Sequence, residues 1–204
     1  MADRDGPAAL DPRQVASGLT RLARAARQWP ESAHHLREAL EVDLERLAFA
    51  AALVAQETGD PAGQILAQAV REAPRLRATW IDRLVAVIPE KTLTLRELVV
   101  VLLQRRLKAA RRGRSVNRVL HLLTELSIGL AELGKPDEAL HAAQEAADGY
   151  RRLAADDRHA RRGDLAAALN TVSNRLQELG RHDESLAAIE EAAALYRTLA
   201  ATEP

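Results

Sequence analysis

The chain has 204 residues, of which 47% are apolar and only 2% aromatic, and it contains no cysteine. This composition predicts a helical core of Ala, Leu and Val, and it excludes disulfides, thiolate nucleophiles and cysteine metal sites. Lys and Arg (29) balance Asp and Glu (29), and no apolar run approaches the ~18 residues of a membrane span, so we expect a soluble, cytoplasmic protein without membrane contact.

The N-terminal part of the chain predicts helices separated by Pro and Gly. Residues 1–11 are polar and predict a disordered leader. Apolar residues then recur at three- and four-residue intervals, which indicates an all-α fold with helices near 12–28, 31–57, 61–73, 75–88 and 93–111. The "VVV" run in the last helix would also suit a buried strand, but no partner strand is present, so helix is favoured.

The C-terminal part repeats itself. Residues 130–154, "LAELGKPDEALHAAQEAADGYRRLA", return at 176–200 as "LQELGRHDESLAAIEEAAALYRTLA", with 15 of 25 positions identical. A fixed period of this kind predicts stacked helical hairpins, with helices near 115–133, 136–155, 164–179 and 182–202. Ser115 and Asp164 are expected to be N-caps, and Gly134 and Gly180 are expected to end the first helices in a left-handed conformation.

Residue sizes at fixed positions of these hairpins resemble the tetratricopeptide repeat. In its first helices the large positions fall on Leu123, Leu126, Leu130, Leu169, Val172 and Leu176, and the small position falls on Ser127 and Ser173. In the second helices the small positions fall on Ala139, Ala146, Ser185 and Ala192. The recurring Tyr150 and Tyr196 are expected to pack in the core or between repeats, and the alternative is that they are contact points on the convex face. The 46-residue period resembles the longer-repeat variants of the family, and the style of the repeats resembles helical arrays of actinobacterial signalling proteins.

The resemblance implies a domain organisation. Two repeats, 115–155 and 164–202, make up residues 113–204, and degenerate hairpins over 12–112 would complete a right-handed α-solenoid of about nine helices. A separate helical bundle over 12–112 is the competing interpretation. Trp29 and Trp80 are expected to anchor the packing of this region.

The resemblance also implies function, because tetratricopeptide arrays bind partner proteins in a groove lined by their first helices. This places the following residues on the groove: His121, Thr124, Glu125, Ile128, Glu132, Ala167, Asn170, Thr171, Asn174, Gln177 and Glu178. They would bind a partner peptide, helix or domain, and the alternative is that they are ordinary solvated residues. The Lys and Arg of the family's clamp for terminal carboxylates are absent, so a peptide bound by its C-terminus is not expected.

A second functional hypothesis is a sensory or regulatory array that controls a nucleotide-binding switch or a transcription regulator on another chain or domain. No nucleotide, cofactor or nucleophile motif occurs in the sequence, so we expect no enzyme, no cofactor and no catalytic residue. His34 and His35 are adjacent and would point ~100° apart on a helix, so we expect no metal site.

The segment "RRLKAARRGRSVNR", residues 105–118, carries seven basic residues. Cations are expected at the end of the preceding helix, and a solvated helix end and linker is the favoured interpretation. An acidic partner, or the acidic flanks of the chain itself, is the second. Nucleic acid is the least favoured, because no aromatic residue is interleaved for base stacking.

The last helix predicts self-association. The sequence stops after "LAAIEEAAALYRTLA" with no additional polar helix, and repeat arrays need their terminal face covered. We therefore predict a homo-oligomer formed through residues 182–202.

Overall fold

A computed structural model describes residues 11–59, 61–89, 92–156 and 161–201. The regular secondary structure of these residues is entirely helical, which confirms the predicted all-α class. The predicted leader lies outside the described residues except for Asp11. The chain divides into two compact units, Met1–Leu102 and Leu103–Pro204.

The first unit packs short helices around a core of small and branched residues. Its helices are α1 (Pro12–Gln28), α2 (Ala33–Val42), α3 (Leu44–Thr58), α4 (Ala62–Glu72), α5 (Ala78–Ala86) and the start of α6 (Arg96–Arg112). Helix α3 contacts α1 and α4, and it buries Ala48, Ala51, Ala52 and Ala55. Alanine at these positions allows close approach of the helices, and Leu36, Leu40, Leu66 and Leu84 fill the remaining volume.

The single helix predicted over 31–57 is two helices, which raises the number of α-helices in the described residues to ten. The chain bends at Asp43, whose backbone is non-helical at φ −151 and ψ 69. Its Oδ1 accepts a hydrogen bond from the Arg46 backbone N–H at 3.3 Å, so Asp43 is the N-cap of α3. The apolar spacing continues across the bend, and periodicity alone therefore did not predict it.

The two tryptophans of the first unit have different environments. Trp80 is 5% exposed, its Nε1 donates to the Glu45 carbonyl at 2.9 Å, and its ring stands edge-on to Phe49. Trp29 is 52% exposed, so its predicted packing role was wrong. It lies between α1 and a 3-10 turn at Pro30–Ser32, where the chain changes direction at the surface.

The second unit contains the end of α6, followed in the chain by two stacked helical hairpins. Its helices are α7 (Val116–Glu132), α8 (Pro136–Asp156), α9 (Arg162–Glu178) and α10 (His182–Ala200). Each helix contacts the next, and α7 also contacts α9. A cluster that includes Leu140, Leu165, Leu169 and Leu176 forms the core between α8, α9 and α10.

The two hairpin turns have the same backbone conformation. Gly134 and Gly180 have φ of 70 and 72, the left-handed region that glycine adopts without a steric cost. The N–H of Lys135 bonds to the Leu130 carbonyl at 3.0 Å, and the N–H of Arg181 bonds to the Leu176 carbonyl at 2.9 Å. Both turns are Schellman motifs, which satisfy the last carbonyls of the first helix and set the path of the second.

The predicted N-caps differ from the observed ones. Helix α9 starts before Asp164, which lies in its first turn with its Oδ2 3.2 Å from Nη1 of Arg161, so Asp164 is not the cap. A carboxylate in the first turn still complements the helix dipole. Ser115 occupies the N-cap position of α7, but its side chain makes no capping hydrogen bond.

Candidate protein-binding groove

Helix α7 presents a mixed row of predicted groove residues. His121, Ile128 and Glu132 are exposed, and Thr124 and Glu125 are partly exposed. The Thr124 hydroxyl donates to the Leu120 carbonyl at 3.2 Å, so it is turned back onto its own helix. His121 Nε2 lies 3.3 Å from Glu125 Oε1. Ile128 is 48% exposed and is the large apolar side chain of this row.

Helix α9 presents a row of amides. Asn170, Asn174 and Gln177 are exposed, and their spacing of four and three residues places them on one helix face. In the described ranges no hydrogen bond joins their side-chain amides to another group. Thr171 donates its hydroxyl to the Ala167 carbonyl at 3.1 Å, as Thr124 does on α7. The free hydrogen-bonding groups of this face are therefore the amides.

Because α7 contacts α9, the two rows lie on neighbouring helices of the second unit. We call the exposed face of α7 and α9 that carries them the groove surface. Its carboxylates are Glu125, Glu132 and Glu178, and Oε1 of Glu178 lies 3.1 Å from Nη2 of Arg175. The Arg175 side chain is only 12% exposed, so this ion pair presents mainly its carboxylate to solvent.

The residues assigned to repeat packing lie mostly behind this surface. The following are buried: Leu126, Ser127, Leu130, Ala139, Ala146, Val172, Ser173, Leu176 and Ala192. Ser185 and Tyr150 are partly buried, and burial raises the pKa of the Tyr150 phenol, with a smaller contribution from the Asp164 carboxylate. Tyr196 is exposed, so the packing role predicted for both tyrosines holds only for Tyr150. The reason is that α9 covers this face of α8, whereas no described helix covers the same face of α10.

A cleft between α8 and α10 was not predicted. It has a volume of about 570 Å³, and its floor is formed by Leu169, Val172 and Leu176 of α9. Arg151 bridges the cleft, with Nη2 3.1 Å from Glu191 Oε2 and Nη1 2.7 Å from Asp148 Oδ1.

A second unpredicted cleft, of about 290 Å³, adjoins the basic segment. Arg111, Arg114 and Arg152 line it together with Glu145 and the apolar side chains of Val116, Val119, Leu120 and Leu153. Arg111 Nη2 donates to both carboxylate oxygens of Glu145, at 2.6 and 2.7 Å. At least one cation of the basic segment is therefore paired with the acidic C-terminal flank, as the second interpretation of this segment predicted.

One group of side chains among the described residues is arranged so that it could hold a metal ion, and it lies far along the sequence from the groove surface. The ligand atoms of His34, His35 and Glu38 lie within 4.8 Å of one another, and all three residues are exposed. The expectation that the two imidazoles point apart was wrong, because their ring centroids are 3.8 Å apart. The Nδ1 of His34 is 2.7 Å from the Glu31 carbonyl, which draws this ring toward the preceding 3-10 turn.

None of the helices in the described part of the chain is both long and apolar enough to cross a membrane.

Comparison with known proteins assigns the repeats. No curated protein matches the chain. A family profile for the tetratricopeptide repeat matches residues 119–159 and 165–200, which correspond to α7 with α8 and to α9 with α10. This family in general mediates protein–protein interaction and is non-catalytic. The two matches, the stacked hairpins and the glycine turns agree, so these two hairpins are tetratricopeptide-type repeats.

Proposed function

We propose that the chain is a non-catalytic scaffold that binds a segment of a partner protein on the groove surface. The observation that carries this proposal is the row of Asn170, Asn174 and Gln177, whose amides are exposed and have no hydrogen-bond partner in the described residues. An amide offers both donors and an acceptor, so a row of amides can pair with the N–H and C=O groups of an extended backbone.

The chemistry of the surface restricts the partner. Ile128 offers an apolar contact beside the amides, and the ionisable acidic groups of the surface are the carboxylates of Glu125, Glu132 and Glu178. Charge complementarity therefore favours a segment with an apolar side chain flanked by Lys or Arg. The surface lacks the cations that would bind a terminal carboxylate, so we expect an internal segment of the partner.

Selection from a random displayed peptide library tests the proposal and reveals the chemistry that the surface prefers. Peptides selected on the full chain should carry basic and apolar residues. Their affinity should fall about tenfold in the variant Asn170→Ala/Asn174→Ala, because each lost hydrogen bond contributes about 0.5–1.5 kcal/mol. Isothermal titration calorimetry would measure this change, and circular dichroism would verify that the helices are retained.

Gln144→Ala is the matched control, since Gln144 is an exposed amide of α8 that lines the cleft between α8 and α10. It should leave the affinity unchanged. If the control lost affinity and the double variant did not, the cleft would be the binding site and the groove proposal would be wrong.

The second hypothesis, control of a nucleotide-binding switch, is not favoured by any contact of the described residues. Partner binding is therefore the function that we propose.

A further inference from the structure

Helix α10 has an exposed apolar stripe. Leu186 is 56% exposed, Ile189 38% and Tyr196 47%, and Ala193 and Ala200 are exposed with them. The five residues follow one another at intervals of three, four, three and four, which is the a/d spacing of a helix that packs against another helix along its length. We call these residues the α10 stripe.

The same stripe exists on α8, where it is covered. The equivalent positions, 46 residues earlier, are Leu140, Ala143, Ala147, Tyr150 and Ala154. All five belong to the cluster that packs against α9, and Leu140 and Ala143 are only 5% and 1% exposed. The α10 stripe therefore has the composition and spacing of a surface that, one repeat earlier, is a helix–helix interface.

The charges beside the α10 stripe are arranged for self-pairing. Glu190 and Arg197 follow Ile189 and Tyr196 directly, so both lie along the same edge of the stripe, two helical turns apart. Neither side chain has an ion-pair partner among the described residues. When two such helices run antiparallel, this edge of one helix faces the same edge of the other.

We propose that α10 binds α10 of a second copy of the chain in an antiparallel pair. With the pair centred between Ala193 and Ala194, Glu190 of each copy lies beside Arg197 of the other copy, twice across one twofold axis. In a parallel pair, equal residues lie at equal height, and Glu190 would be about 10 Å along the axis from Arg197 of the other copy. The charges therefore select the antiparallel orientation.

This inference is independent of the groove proposal, because the α10 stripe contains none of the groove residues. A single pair of short helices buries less than the ~1,200 Å² of a standard stable interface, so the dimer should dissociate as the protein is diluted through the micromolar range. Sedimentation velocity over a dilution series would measure this equilibrium for the full chain.

Charge reversal gives the decisive test. Glu190→Arg places two arginines together at each contact, and Arg197→Glu places two glutamates together, so each variant alone should dimerise at least tenfold more weakly. An equimolar mixture of the two variants should recover dimerisation, because a pair of unlike copies relieves the like-charge contacts that each variant makes with itself. Both residues are exposed, so the fold should survive, and circular dichroism would check it.

The orientation can be tested by cross-linking, since the chain has no cysteine of its own. Asp183→Cys and Ala201→Cys place thiols at exposed positions near opposite ends of α10. An antiparallel pair predicts that a short bis-maleimide links the two variants only when they are mixed. Cross-linking of each variant alone would show a parallel pair and overturn the proposal, as would a strict monomer at high concentration or a mixture that fails to recover dimerisation.

Discussion

The two repeats treat one buried hydroxyl differently. In the second repeat, Ser173 Oγ donates to the Ser185 carbonyl and Ser185 Oγ donates to the Ser173 carbonyl, both at 3.0 Å. In the first repeat, Ser127 is fully buried and its Oγ has no hydrogen-bond partner among the described residues. Ala139 occupies the position of Ser185, so the first repeat lacks the second hydroxyl, which in the second repeat lies 2.9 Å from Ser173 Oγ. Burying a hydroxyl removes its hydrogen bonds to water, which costs free energy. A hydrogen bond inside the protein offsets this cost, and a hydroxyl without a partner has no such compensation.

Substitution of these serines should therefore have opposite effects on stability. We expect Ser127→Ala to raise the free energy of unfolding by about 1 kcal/mol and Ser173→Ala to lower it by about 1 kcal/mol. Ala139→Ser should give Ser127 a partner, so that Ser127→Ala becomes unfavourable in that background. Urea denaturation followed by circular dichroism would measure the free energy of unfolding of the three single variants and of the double variant Ser127→Ala/Ala139→Ser. Equal losses for Ser127→Ala and Ser173→Ala would contradict the explanation.

At the level of the helices, the two hairpins pack their first helix against their second with different pairs of residues. Gly149 of α8 lies so close to α7 that a Cβ at this position would be 2.1 Å from Leu120 Cδ2. In the second repeat the equivalent residues are Leu195 on α10 and Ala166 on α9, and both belong to the same core cluster. The large side chain has moved from the first helix to the second, and the small residue has moved in the opposite direction.

This exchange predicts strong coupling between residues 120 and 149. Gly149→Leu should destabilise the protein by about 3 kcal/mol or more because it overpacks the contact. Leu120→Ala should cost about 2–5 kcal/mol because it leaves a cavity. The double variant reproduces the pair of the second repeat, so its loss should be smaller than either single loss. A double-mutant cycle measured by chemical denaturation would detect this coupling, and additive losses would refute it.

At the scale of the whole molecule, the sequence predicted what depends on local geometry. Gly134, Gly180 and the apolar spacing determine where the hairpins turn and which faces they bury, and both were accessible from one sequence. The break at Asp43 was not, because the apolar pattern continues through it, and it shows only in the backbone angles and the capping hydrogen bond of Asp43. The exposure of Trp29 and Tyr196 also could not be predicted, since residue type does not show whether another helix covers the side chain.

The sequence also could not predict which charged residues pair when they are far apart along the chain. These ion pairs determine how the molecule should behave toward nucleic acids. Residues 75–118 carry 12 Lys and Arg against 3 Asp and Glu, which in isolation would attract phosphate. In the folded chain, however, Arg77 pairs with Glu45 at 2.5 Å, and Arg111 is held by both oxygens of Glu145. Glu145 also lines the cleft that contains Arg114 and Arg152, where its carboxylate would repel a phosphate.

Because the whole chain has a formal net charge of zero, its net charge does not attract a polyanion to the cleft lined by Arg111, Arg114 and Arg152. We therefore expect no retardation of a mixed DNA or RNA ladder by the full chain in a low-salt mobility-shift assay. Glu145→Gln removes the pairing carboxylate, and any weak retardation should appear first in this variant. A complex of the unmodified chain that weakens steeply with added salt would show that the arginines contact phosphates and would overturn this expectation, since each neutralised phosphate contributes about −0.9 to the slope of log affinity against log salt.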